Sequence, residues 1–225
     1  GNGTACRETE ELVAEMIAED RPDARYVIVN EAGASIYSAS EVAGEEFPDL
    51  DATVRGTISI GRRLQDPLSE QVKIDPQHLG VGLYQHDVDP KRLKESLDSV
   101  VESCVNYVGV DLNTASASLL RHVSGFTQRV ARHVVEWRDQ HGRFTSRRQL
   151  LDVPGLGAAT FQQAAGFLKI SDGDNLLDST PIHPESYSAA NRILNRLTGE
   201  TRDGRVGSPD LAALKPKLTE LIEDG

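Results

Sequence analysis

An internal repeat limits the folds open to this 225-residue chain more than any other feature. Set "LLRHVSGFTQRVARHVVEW" beside "LLDVPGLGAATFQQAAGFL" at an offset of 30 residues. Leu120 then falls on Leu150, Val123 on Val153, Gly125 on Gly155 and Phe126 on Leu156. Each copy reads as a short helix, a tight glycine turn holding one apolar residue, and a second helix. Helix starts are predicted after Asn113 or Thr114 and after Thr145 or Ser146, whose side chains accept hydrogen bonds from first-turn amides.

This is the helix-hairpin-helix pattern, in tandem. Glycines at 155 and 157 let the chain turn sharply and strip side chains from the corner. The amides of Gly155, Gly157 and Ala158 then point outward at the start of a helix. They have no partner within that helix, and its dipole adds partial positive charge. A phosphate oxygen fits there. In the first copy Gly125 keeps the turn, while Thr127 replaces the second glycine and offers a hydroxyl. Arg129 and Arg132 follow it; Arg143, Arg147 and Lys169 are the remaining candidate cationic contacts. Contacts of this kind position a backbone and carry no base information.

Two other readings of "DVPGLGAAT" compete. A dinucleotide cradle needs a preceding strand, a third glycine and a distant acid. Here a helix precedes and the third glycine is missing. A purely structural hairpin, or one that docks a protein, is the stronger rival.

Charge does not decide between them. The formal net charge is −11, and residues 1–50 hold 12 acids against 3 bases. Residues 121–148, however, hold 7 Arg against 2 acids. The local field over a patch matters more to a polyanion than the sum. Cys6 and Cys104 have no metal-type spacing and suggest a reducing compartment. No apolar run is long enough to span a membrane, and the first residues lack a signal-peptide layout. The opening Gly-Asn-Gly reads as the middle of a domain.

Elsewhere the pattern predicts a helix over 5–20, a short apolar strand at Tyr26–Val29, a helix capped by Ser38 or Ser40, and another over 51–66. One strand cannot make a sheet, so its neighbours are expected upstream of Gly1. Residues 67–90 read as irregular. A helical stripe runs through Leu93, Leu97, Val100, Val101 and Val105, a polar linker follows 171, and helices are predicted over 185–198 and 209–223.

Several longer stretches carry a resemblance. "NEAGASIYSASEVAGEEFPDLD", "RGTISIGRRLQDPLSEQVKIDP", "GVGLYQHDV" and "GFLKISDGDNLLDSTPIHPESY" together resemble the Tex family of bacterial transcription accessory proteins. The tandem hairpin region alone is similar to that of bacterial competence DNA receptors. The Tex resemblance implies a mainly α chain with a small α/β part: a partial ribonuclease-H-like, resolvase-type unit over 1–70, a connecting helical segment over 71–110, the tandem helix-hairpin-helix over 111–170, and a linker with helices over 171–225 leading to an OB-type domain that this sequence lacks. It implies a cytoplasmic protein that binds DNA or RNA backbone, with RNA polymerase or an associated factor as a further partner. No cofactor, metal, membrane or small-molecule substrate is expected.

Resolvase-type nucleases hold two metal ions on about four carboxylates. Glu31, at the end of the expected strand, and Asp66 are the only candidates. They read better as a strand-end acid and a helix cap, and the resemblance points to a degenerate nuclease site. No catalytic residue is therefore assigned. "YQHDV" holds a His–Asp pair without a further ligand at metal spacing. Trp137 and Phe144 flank the Arg-rich helix end, where base stacking competes with a core role.

Overall fold

A computed structural model describes residues 3, 6–21, 23–80 and 82–198. The helix expected over 209–223 lies outside the described residues. The chain divides into two compact units, Gly1–Val101 and Glu102–Gly225.

Unit 1 begins with α1 (Cys6–Asp20), which buries no side chain; Leu12 and Met16 on its apolar stripe stay exposed. The expected strand at Tyr26–Val29 does not form. These residues are irregular, and Tyr26, Val27 and Ile28 are about half exposed. A strand exists only where a neighbour completes its ladder, and none of the described residues does so. The chain is instead pinned just beyond: buried Arg63 donates through Nη1 to the carbonyls of Asn30 and Ala32, both at 2.8 Å.

Four short helices follow: α2 (Ala34–Ser38), α3 (Glu41–Glu46), α4 (Ala52–Gln65) and α5 (Pro67–Gln71). Three start on side-chain caps. Ser40 accepts from the Ala43 amide, Asp51 from Val54 and Asp66 from Ser69. The apolar core is small, built on Tyr37, Ala43 and Ile74 with Val42 and Leu79 against it. A buried polar network supplements it. Lys73 Nζ lies 2.7 Å from Glu70 and 2.9 Å from Glu46, Ser59 donates to Glu70, and the Tyr37 hydroxyl donates to Glu46 at 2.6 Å.

Burial and the Glu46 carboxylate hold the Tyr37 hydroxyl well above the usual phenol range. Its neutral form is favoured in the folded state, so its contribution is complete below about pH 10 and lost as pH rises further. In an alkaline absorbance titration, ionisation of Tyr37 is expected to lag behind ordinary phenols and to coincide with unfolding of unit 1. Phenylalanine at 37 should remove one lagging phenol and leave that of Tyr187 in unit 2, which burial and the Asp178 carboxylate also hold well above the usual range.

The division between the units falls within α6 (Pro90–Val108). In unit 2, β1 (Val110–Asp111), α7 (Ala117–Leu120), α8 (Gln128–His141), a 3-10 segment (Arg147–Asp152), α9 (Ala158–Ala164) and β2 (Leu168–Lys169) follow in order. A 3-10 turn (Leu176–Ser179) leads toward α10 (Tyr187–Thr198). The two strands pair in parallel, Val110 with Leu168 and Asp111 with Lys169, closing the ends of the repeat pair together. Sequence patterning held no sign of strands this short.

The core of unit 2 repeats as the sequence does. Leu120 and Leu150, Val123 and Val153, Phe126 and Leu156, and Val134 and Ala164 are all buried. The first repeat's cap is Ser116, not Asn113 or Thr114, and it matches Ser146 at the same 30-residue offset. Asn113 instead ties two loops together, its side-chain amide exchanging two hydrogen bonds with the Phe144 backbone at 2.9 and 2.8 Å.

Candidate nucleic-acid interface

Both corners are the same turn. Phe126 N–H donates to Val123 O at 2.9 Å, and Leu156 N–H to Val153 O at 3.1 Å. Gly125 and Gly155 occupy the third position with φ of 84° and 81°, the left-handed region that a type II turn requires. Pro154 sits at the second position, where its fixed φ suits that turn. Phe126 and Leu156 fold inward while the glycines stay exposed.

The corners then differ in how they open their helices. Thr127 caps α8, its hydroxyl oxygen accepting from the Val130 amide at 3.3 Å. Ser124 in the first corner donates its amide to Asn106 Oδ1 at 3.1 Å. Gly157, at the start of α9, provides no such cap. Among the described residues, the amides of Gly155, Gly157, Ala158 and Ala159 meet no acceptor. The amides of Gly125, Thr127, Gln128 and Arg129 in the first corner meet no acceptor among them either, so each corner presents a cluster of unsatisfied donors, and the second does so with nothing larger than a methyl group at Gly155, Gly157, Ala158 and Ala159.

Each corner also rests on the other repeat. His133, on α8, bonds the Pro154 carbonyl through Nδ1 at 2.7 Å, so that nitrogen carries the proton. Gln163, on α9, lies against Gly125 so closely that a Cβ there would come 2.9 Å from its side-chain oxygen. His133 and Gln163 are themselves 30 residues apart, the same position of the repeat. The two hairpins thus exchange supports.

The candidate cations divide. Arg129 and Arg132 are exposed on α8, just after the first corner. Arg143 is exposed and meets Asp172 at 3.3 Å, an ion pair open to solvent. Arg147 does not belong at the interface. It is 1% exposed, and its guanidinium donates to the carbonyls of Leu168, Thr180 and Ile182 and to the Tyr187 hydroxyl. Its own backbone amide donates to Asp178, which also accepts from Tyr187. Buried, and with four of its five N–H groups already engaged, this Arg is out of reach of a polymer. Lys169 is half-buried, with its stem across Gly109 and its amine on the Val108 carbonyl at 2.8 Å. There it caps α6, where a cation also favours the helix dipole.

Sequence reasoning missed His133 and Gln163. Their signal was their shared place in the repeat. Of the acids weighed for metal chemistry, Asp66 has both oxygens on Ser69, at 3.0 Å from its amide and 2.6 Å from its hydroxyl. No group of three His, Cys, Asp or Glu side chains suited to a metal ion occurs among the described residues.

Comparison with known proteins agrees with this division. Residues 1–65 match the Tex protein YqgF-like domain, 105–169 a helix-hairpin-helix motif and 175–222 an HHH domain. The chain is 57% identical over 204 residues to Protein tex of Bordetella pertussis, covering 90% of the chain and 26% of that protein. It is 50% identical to Protein YhgF of Escherichia coli, covering the whole chain and 30% of that protein. It is 44% identical to the human S1 RNA-binding domain-containing protein 1, covering 99% of the chain and 27% of that protein. The chain therefore spans between a quarter and a third of the length of these relatives. In the order of its domains and in identity along nearly all of its length, the chain belongs to the Tex family.

Proposed function

We propose that unit 2 binds the backbone of DNA or RNA through its two glycine corners, with little regard to sequence and without cleaving it. The observation that carries this reading is the second corner, whose four amides at Gly155, Gly157, Ala158 and Ala159 are exposed and unsatisfied. Gly125 and Thr127 form the weaker grip, and Arg129 and Arg132 add charge that the acidic total conceals. The equivalent amides of the first corner, at Gly125, Thr127, Gln128 and Arg129, meet no acceptor among the described residues either, so both corners offer donors to a backbone. Asp66 is occupied as a helix cap, which supports the reading without catalysis.

Titration of labelled oligonucleotides at two salt concentrations tests it. For about three phosphate contacts, affinity should fall roughly 20–40-fold between 50 and 200 mM salt. Binding that ignores salt, or none at all, rejects the reading. Incubation of the same oligonucleotides with Mg²⁺ should leave them intact.

A second surface favours a protein partner for unit 1. Leu83 and Tyr84 stand side by side, 93% and 75% exposed. RNA polymerase, or a factor bound to it, is the proposed occupant, consistent with a relative named transcriptional accessory protein Tex. Serine at both positions should abolish capture of purified polymerase; undiminished capture would reject this docking site. No helix among the described residues is long and apolar enough to cross a membrane, and the cytoplasm is the proposed location.

A further inference from the structure

On α8, one helical face carries Arg129, His133, Trp137 and His141 at four-residue steps. His133 holds the second corner by its Pro154 carbonyl. Farther along, Trp137 stacks on two rings: Phe144 at 4.4 Å and 18°, and His141 at 4.7 Å and 15°. Two near-parallel rings this close to one indole have no room to share a face, so Trp137 lies between them. Phe144 is fully buried, Trp137 half-buried and His141 exposed. His141 Nδ1 donates to the Trp137 carbonyl at 3.0 Å, which fixes the imidazole plane. The result is a three-ring column anchored in the core and ending in a flat, oriented ring at the surface.

Packing alone does not require this arrangement. A core needs Phe144 and part of Trp137, but it gains little from a histidine held parallel at the solvent end. A planar π-surface of fixed orientation, on a face that also carries the support of the second corner, suits a nucleobase. The rise of an α-helix puts His141 about 12 Å beyond His133, the reach of three or four nucleotides at about 3.4 Å each.

We propose that His141 is the open end of a base-stacking platform, on which one unpaired nucleobase extends the Phe144–Trp137–His141 column while its strand is held at the second corner. Only a base whose face is uncovered can join the column, so the platform selects single strands over duplex. Any base has such a face, so it does not read sequence. The proposal rests on the backbone-binding reading above and adds a second kind of contact to it.

The test uses the full chain, a short labelled oligouridylate, and a sugar-phosphate strand of equal length without bases. Trp137 is the only tryptophan in the sequence, so its emission reports on the column directly. Oligouridylate is expected to quench Trp137 and to bind about tenfold more tightly than the base-free strand. His141→Ala should remove that tenfold advantage and leave the salt dependence unchanged, whereas His141→Phe should retain it. Equal binding of both strands by the parent protein, or an alanine variant that keeps the preference, overturns the platform while salt-sensitive binding leaves the backbone reading standing. If the parent binds neither strand, the backbone reading fails, and the platform with it.

Discussion

Methionine in place of Arg147 should destabilise unit 2 by about 3–5 kcal/mol, although an arginine inside an Arg-rich stretch looks dispensable. Arg147 is buried, and its fork ties β2 (through Leu168) to the segment that leads into α10 (through Thr180, Ile182 and Tyr187). Without it, three carbonyls lose a charged donor, and each unsatisfied buried group costs about 1–3 kcal/mol. The Asp178 carboxylate, 2% exposed as a residue, also loses its nearby cation. Lysine should rescue little, because an ammonium lacks the planar spread of donors that these acceptors demand. Urea unfolding followed by Trp137 emission measures the loss. The neighbouring Arg148 is exposed, and alanine there should change stability by no more than about 0.5 kcal/mol. Similar behaviour of the two variants would show that the buried fork does not hold the unit together.

Gly157→Asp should move folding and binding in opposite directions. Gly157 has φ −86° and ψ 174°, an ordinary extended conformation, and a Cβ there meets nothing within 4 Å. A side chain fits without strain. Aspartate at this position caps α9 much as Thr127 caps α8, and raises stability by about a few tenths of a kcal/mol. The same carboxylate occupies the amides offered to phosphate and repels the polymer. Affinity for oligonucleotides should drop at least tenfold, with a shallower salt dependence, while the melting temperature holds or rises. Gly155 is a poorer site for the experiment, since its φ of 81° strains any other residue and mixes a folding defect into the outcome. Should the aspartate variant bind as the parent does, the second corner is not where the backbone sits.

The repeat made much of unit 2 legible. Identical spacing of Leu, Val, Gly and an apolar residue announces two hairpins, and the buried set follows that spacing residue by residue. Ser116 could have been found by the same offset from Ser146; reading Asn113 and Thr114 as caps used local propensity and neglected the repeat. What the repeat could not reveal was the fate of individual cations. Arg129 and Arg147 look alike in the sequence. They differ because Arg147 finds acceptors 21 to 40 residues downstream, at Leu168, Thr180, Ile182 and Tyr187, and only tertiary structure brings these to it. Lys169 is similar, drawn to a helix end 61 residues earlier. In unit 1, two helix starts were written in Ser40 and Asp51, whereas α5 lies in the stretch 67–90 that read as irregular, although Asp66 and Pro67 mark its start. The apolar run at Tyr26–Val29 misled because β-propensity describes a side chain's fit to a sheet and cannot supply the sheet.

His133 and Gln163 give the paired hairpins a property that neither has alone. Because every loop is braced by its counterpart's helix, the interval between the two grips is a fixed dimension, in the manner of a caliper. A polyanion whose charges do not recur at that interval can satisfy one jaw but not both. Discrimination among strands and duplexes would then arise from length along the backbone, with no base being read.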